Sequence, residues 1–397
     1  MPITKSKTKS KASVSQKSVR KVPQALNSKH SLVRFKGCSH FRQRIACSIL
    51  SGKSIRIDDI RSSPINVGDD GDDIKIGLID FEASFLRLID KITNGTKIEI
   101  NESGTSLYMK PGFIMNGKLE HDCGCTRGVG WYLEGILPLA FFGKKPLSLT
   151  LNGITNDNIG LSADSVKAVA LPLLKKFGIG EEGNLDFKVT RRGSPPKGGG
   201  SIELLCPIVK RLKPIDLTDA GLVKRIRGNA VCTKVSPQIA NRTAESSKGV
   251  LNKLIPDVWV HTDHSGGISG GLSPGFSCCL VAESTTGVLL SAEFAASEGS
   301  IPEDLGIMCS HMLLEEISNG GCVDSSYQSM AMLLMVLCPE DVSRLRIGKL
   351  TNYSIAFLRH IREFFGVTFK IKPDYETSTV LVSCLGIGYK NISRSAT

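Results

Sequence analysis

Only a few stretches of this chain carry residues spaced for chemistry. Residues 51–54 read Ser-Gly-Lys-Ser, the ending of a phosphate-binding loop. The full motif, G-x-x-x-x-G-K-[ST], follows a strand and opens a helix whose N-terminal amides face the phosphates. Here the position five before Gly52 is Cys47, and the apolar spacing puts a helix before the motif and a strand after it, so no nucleotide cradle is expected. Cys123 and Cys125, beside His121, form the best metal-ligating group, but one Cys-x-Cys without a second pair is short of a four-ligand zinc site. Neither a metal nor a cofactor is expected. His261 and His264 flank Asp263 and offer acid–base groups, though in Gly-rich surroundings that preorganise poorly. The runs KGGGS (197–201) and HSGGISGG (264–271) have the composition of backbone anion nests. The GDDGDD run at 68–73 offers carboxylates without the spacing or terminal Glu of a calcium loop. Sequence order identifies no Ser, His and Asp constellation, because geometry defines such sites.

The elements that must position these residues repeat one phrase: an amphipathic helix, a glycine, a short strand. It appears in ACSILSGKSIRI, FLRLIDKITNGTKIEI, LPLAFFGKKPLSLTL, LPLLKKFGIGEEGNLDFKV and LRHIREFFGVTFKI. Gly52, Gly95, Gly143, Gly178 and Gly366 stand where a helix ends in a left-handed residue. The alternating Ile, Val and Leu after each read as half-buried strand. Helices are expected at 41–51, 79–93, 128–142, 163–177, 303–318, 325–337 and 351–365. Alternating helices and strands imply layered α/β units, and a period of roughly a hundred residues implies three repeats. Between 207 and 284 the texture turns basic and then Gly/Ser-rich, which reads as a small α/β domain inserted in the parent domain. The expected organisation is a tail at 1–30, a large domain at 31–206 and 285–397, and an insertion at 207–284.

Composition narrows the function classes. No apolar run approaches the roughly 20 residues of a membrane span, and the N-terminus lacks a secretory core, so an intracellular protein is expected. The 12 cysteines are scattered singly through apolar segments, as at Cys47, Cys206, Cys309, Cys338 and Cys384, the pattern of small buried residues rather than a disulfide framework. The net charge is +12, but residues 1–30 hold eight Lys or Arg and no acid, so the other 367 residues carry only +4. That tail lacks the apolar residues to offset its ordering entropy and is expected to be disordered, acting as an RNA-contacting arm or a nuclear address.

The segments FRQRIACSILSGKSI, DFEASFLRLIDKITNGT, TSLYMKPG, RRGSPPKGGGSIEL, LVKRIRGNAV, GGCVDSSYQ, IGKLTNY and GIGYKN follow one another in an order far more specific than any single motif. From about Leu32 to Tyr389 the chain resembles the RNA 3'-terminal phosphate cyclase superfamily, in particular the cyclase-like branch of the nucleolar small-subunit processome. The resemblance implies three β-α-α-β repeats with a small α/β domain inserted between the second and third. It also implies a role in the cleavages that release 18S rRNA, a nucleolar location, and as partners a ribosome-biogenesis GTPase, pre-rRNA and processome proteins, with no membrane.

The departures are as informative as the matches. Cyclases carry G-E-G-G-G-Q-x-L-R near the N-terminus. That run falls on Arg34 to Arg42, with Phe35 in place of the acid and only Arg42 retained. Matching the cyclase Thr three residues after the nucleophilic His to Thr351 puts Gly348 at the nucleophile's position, and an Asp-Gln pair falls on Ser329 and Met330. Nucleophilic catalysis needs the attacking atom itself, so a chain without cyclase activity is expected. The second reading is an endoribonuclease in a repurposed cleft, with Asp324, Ser326, Gln328, Arg346 and Lys349 as candidates. Cations suited to phosphates are Arg42, Lys210, Arg211, Lys213, Lys224, Arg225 and Arg227, with Arg344 near the changed nucleophile position.

Overall fold

A computed structural model describes residues 32–62, 76–181 and 183–391; the basic tail and the GDDGDD run lie outside the described residues. The chain opens with β1 (Leu32–Lys36), α1 (Phe41–Ser51) and β2 (Ser54–Asp58), and β1 runs parallel to β2. Next come α2 (Asp80–Ile92), a two-residue ribbon strand β3 (Thr93–Asn94), β4 (Lys97–Ile100), β5 (Leu107–Lys110) and β6 (Phe113–Ile114), which pairs with β3. In α2 the apolar positions Phe81, Phe85, Leu88, Ile89 and Ile92 recur at helical spacing and are buried. Asp80 and Glu82 stand in its first turn, where the helix dipole favours acids. The sheet order is β1-β2-β5-β4.

The second sheet repeats this order as β7-β8-β10-β9. Its elements are β7 (Gly117–Asp122), α3 (Val129–Ala140), β8 (Leu147–Gly153), α4 (Ala163–Ser165), a π-helical turn (Val166–Ala170), α5 (Leu171–Lys176), β9 (Asp186–Arg191) and β10 (Gly200–Cys206). The helix expected at 163–177 is therefore present with a wide turn before Pro172. Proline lacks an N–H, and the wider turn absorbs the lost bond. The third sheet begins with β11 (Asp216–Leu217).

The chain then leaves for β12 (Val223–Thr233), α6 (Pro237–Leu251), β13 (Val258–Ser265), β14 (Gly275–Ser284), β15 (Leu289–Ala295) and α7 (Pro302–Asn319). It returns with α8 (Gln328–Leu337), β16 (Val342–Ile347), α9 (Asn352–Phe365), β17 (Lys370–Asp374) and β18 (Thr379–Leu385), giving the order β11-β16-β18-β17. Three sheets thus share one order and one arrangement of parallel and antiparallel pairs, each built as strand, helix, strand, helix and hairpin, the third with the excursion in place of its first helix's immediate approach.

The insertion's borders differ from 207–284. Residues 216–217 pair with β16 of the third sheet, whereas β15 pairs with β14 in the fourth sheet, ordered β13-β12-β14-β15. Leu305, Cys309 and Leu313 of α7, spaced by four, join Ile226, Ala230, Val260 and Leu280 in a separate apolar cluster. The excursion therefore runs from Val223 to Asn319, and α7 belongs to it because its apolar stripe covers that sheet. A second difference concerns Gly143. Gly52, Gly95, Gly178 and Gly366 have left-handed φ, but Gly143 does not. A Cβ there would lie 2.2 Å from Asn116 Nδ2, which donates to Ala140 O. Glycine is needed at 143 for room.

The two glycine runs proposed as anion nests pack against each other. Leu272 N donates to Gly198 O, and a Cβ on Gly271 would lie 2.5 Å from that same oxygen. Beside them Arg192 joins the second sheet to the insertion. Its guanidinium donates to both Asp164 oxygens at 2.6 and 2.9 Å and to Asp263 of β13 at 3.0 Å. Asn156 and Asn229 complete the shell of Asp164. Removing one member of a buried pair leaves the other charge without compensation, so Arg192→Ala is expected to lower stability by about 3–5 kcal/mol. Urea unfolding followed by circular dichroism measures this, and a loss under about 1 kcal/mol contradicts a seam built on that pair.

Candidate functional site

The N-terminal run leads from β1 through Gly37 (φ +69°) into α1, with His40 in the left-handed region (φ +56°) at the helix start. Phe35 points inward, its ring 5.0 Å from His360 and 5.6 Å from Phe364 of α9. Arg44 lies over Phe35 at 4.5 Å and donates to Gly37 O at 2.8 Å and to Ser39 Oγ at 3.3 Å. Burial lowers the Arg44 pKa to about 10, so it stays charged at neutral pH. Burial, with Arg44 nearby, pushes His360 down to about 3, so the imidazole is neutral. The segment from Phe35 to Arg44 thus forms an aromatic and guanidinium stack.

A second network ties the three repeats together. Arg42 pairs with Glu134 of α3 at 2.6 Å, donates to Trp131 O and lies over the Trp131 ring. Gln43 and Tyr353 also donate to Glu134. His40 stacks on Tyr353 with ring centroids 4.2 Å apart. Arg42 is therefore engaged in an internal ion pair rather than presented to a ligand. Glu134 escaped the sequence reading, although a lone charge inside the apolar helix WYLEGILPLA was its signal.

Gly348 lies in the turn between β16 and α9. A Cβ there would stand 2.7 Å from Asn319 O and 2.8 Å from Gly320 O. Gly321 forms a bridge with Ile347, and Cys322 N donates to Arg346 O. The main chain at the end of α7 therefore covers the position at which a side chain would emerge. Ser329 and Met330 are buried in α8.

The five nuclease candidates are not gathered at one open site. Asp324 is buried, accepting from Ser291 N and Oγ and from Tyr327 N. Gln328 is buried, donating to Lys349 O and accepting from Ser354 Oγ. Arg346 is held by Thr218 O and Asp374 at 2.7 Å each. Only Ser326 and Lys349 are exposed. Of the cations, Lys210, Arg211 and Lys213 line a cavity of about 360 Å³ against the turn at Gly178–Gly180, where Lys213 pairs with Glu181. Arg225 pairs with Glu283, Arg227 with Asp257 and Arg344 with Asp216, while Lys224 is exposed. His121 Nε2 meets Ser84 Oγ, Cys123 is buried and exposed Cys125 donates to Lys197 O, so the three do not converge. Asp263 is taken by Arg192, and His261 accepts from Trp259 Nε1.

Fold and site now define a class: three α/β sheets of one strand order with a fourth sheet inserted, and an N-terminal segment filled by aromatic and basic groups. The family described as RNA 3'-terminal phosphate cyclase matches residues 33–371, and the chain belongs to it, on its cyclase-like side. It is similar to the probable RNA 3'-terminal phosphate cyclase-like protein of Dictyostelium discoideum, 52% identical over 92% of this chain and 100% of that one. The RNA 3'-terminal phosphate cyclase-like protein of Homo sapiens is 51% identical over 92% and 98%. The rRNA processing protein rcl1 of Schizosaccharomyces pombe is 43% identical over 91% and 98%.

One buried acid behind this site has a measurable signature. Glu293 of β15 accepts from Ser162 N with Oε1, and its Oε2 is buried with no partner among the described residues. Burial, reinforced by Asp164 and Asp324, raises its pKa from 4.5 to about 7. The folded state therefore holds a proton that the unfolded chain releases, and stability falls as pH rises from about 4.5 through 7. Glu293→Gln keeps the shape without the charge. Thermal melts are expected to show the variant gaining stability over the parent above pH 7 and little difference near pH 4; parallel profiles contradict the assignment.

Proposed function

We propose that this chain is a ribosome-biogenesis factor of the small-subunit processome, acting in the nucleolus on early pre-rRNA processing towards 18S rRNA without cyclase chemistry. The observation that carries this reading is the turn at Gly348: no side chain projects where the adenylate-accepting imidazole is needed, and the neighbouring carbonyls fill the space a Cβ would take. Phe35 in place of the acid supports it, and so does the likeness to a fission-yeast protein named for rRNA processing. Its partners on this reading are pre-rRNA, processome proteins and the ribosome-biogenesis GTPase. The burial of Asp324 and Gln328 and the engagement of Arg346 favour an assembly role over an endoribonuclease.

Depletion in the cells of origin, followed by hybridisation probing of rRNA, is expected to show loss of 18S rRNA with accumulation of its precursor. A Phe35→Ala and Arg44→Ala variant, expressed and folded, is expected to rescue less than the parent chain. Normal 18S rRNA after depletion overturns the role. Radiolabel transferred from α-labelled ATP onto the purified parent chain overturns its non-catalytic part.

A further inference from the structure

The insertion sheet has two unlike faces. Ile226, Ala230, Val260, Cys278 and Leu280 point to α6 and α7 and form the apolar cluster already described. The opposite face reads across the strands as Trp259, Arg227, Val281 and Ser291, then His261, Asn229, Cys279 and Glu293. Its β14–β15 half is buried against the second repeat. Among the described residues its β12–β13 half is not covered. Two cavities of about 280 and 330 Å³ open there, sharing Asp164 and Asn229. They make a groove along the seam, with His261 in its wall and Trp259 beside it on the same strand face.

Charge and ring chemistry decide what fits. The carboxylates of the uncovered half each meet an arginine: Asp164 and Asp263 share Arg192, Glu283 has Arg225 and Asp257 has Arg227, while Glu293 lies buried in the covered half. Lys167 and Arg191 line the groove with no ion pair among the described residues, and Lys248 Nζ approaches the Trp259 ring at 5.7 Å. Trp259 is 57% exposed, an indole standing in water among cations. A sheet carrying exposed aromatic rings flanked by lysine and arginine suits unstacked bases and the phosphates that join them. An A-form duplex hides its base faces, and an acidic polypeptide would meet the cations but leave the indole without a planar partner.

Resting on the reading of this chain as a factor that touches pre-rRNA, we propose that the uncovered half of the insertion sheet is a single-stranded RNA platform. Trp259 and His261 stack bases there, and Lys167 and Arg191 hold the backbone.

The test uses the full chain and a fluorescein-labelled 15-nucleotide single-stranded RNA of mixed sequence. Trp259→Ala is expected to weaken binding about tenfold, within the range of one lost stacking contact, and Trp259→Phe to recover most of it. Lys167→Ala with Arg191→Ala is expected to reduce the log-log salt slope by about 1.4, two phosphate contacts on a single strand. The chain has two tryptophans, and Trp131 is 8% exposed, so quenching by RNA reports Trp259. The same sequence as a duplex is expected to bind the parent and Trp259→Ala equally. Parent-like RNA affinity in both the Trp259→Ala and the Lys167→Ala, Arg191→Ala variants overturns the platform and leaves the rRNA-processing reading intact. Quenching by a 15-residue polyglutamate but not by RNA overturns it in favour of an acidic protein partner. Absence of RNA binding by the parent overturns it as well, while 18S rRNA after depletion still judges the wider reading.

Discussion

The carbonyl oxygens of Asn319 and Gly320 lie where the side chain of residue 348 would begin, 2.7 and 2.8 Å from its Cβ position. Much of the structure follows from that approach. At it α7 ends, the chain turns through Gly320 and Gly321, and Gly321 bridges to Ile347 before α8 begins at Gln328. The insertion's return is thereby fixed at the edge of the turn that, on the proposed reading, corresponds to the one presenting a cyclase's reactive imidazole. Packing and the glycine are one constraint, because a backbone contact this close admits no Cβ at 348 without movement.

Around this junction the repeats are held by buried polar groups as well as by apolar area. Arg42, Gln43 and Tyr353 converge on Glu134, so α1, α3 and α9 meet at one carboxylate. Arg192 does the same between the second sheet and the insertion, satisfying Asp164 from two nitrogens. Desolvation offsets much of the attraction in such pairs, so their main consequence here is positional: a slipped register leaves a charge without its partner. The groove beside Trp259 exists because that seam holds the insertion sheet against only part of the second repeat. The groove, like the turn at Gly348, is a by-product of how the units are fastened.

The sequence made the α/β character and most helix positions legible, since amphipathic spacing and helix-ending glycines are local signals. Helix α1 runs from Phe41 to Ser51, as its pattern implies, and α9 ends at Gly366 in the left-handed conformation. The border of the insertion was not legible. Residues 289–319 have the ordinary strand and helix texture of the main domain, and only the pairing of β15 with β14 and the packing of α7 on that sheet assign them elsewhere. Cations were visible as charges but not as pairs: Arg42, Arg225, Arg227 and Arg346 each meet a carboxylate distant in sequence. The glycine runs were likewise visible as composition but not as contacts. They serve the close approach of two loops, which composition cannot distinguish from an anion nest.

The central claim is that residue 348, proposed to stand at the cyclase nucleophile's position, is closed by main chain and not merely short of a side chain. The direct measurement is covalent transfer of radiolabel from α-labelled ATP to a full-length Gly348→His, Phe35→Glu variant. The account predicts no labelled protein and a lowered melting temperature, because the new Cβ collides with Asn319 and Gly320. An acid-labile adenylylated product on a variant as stable as its parent would contradict it.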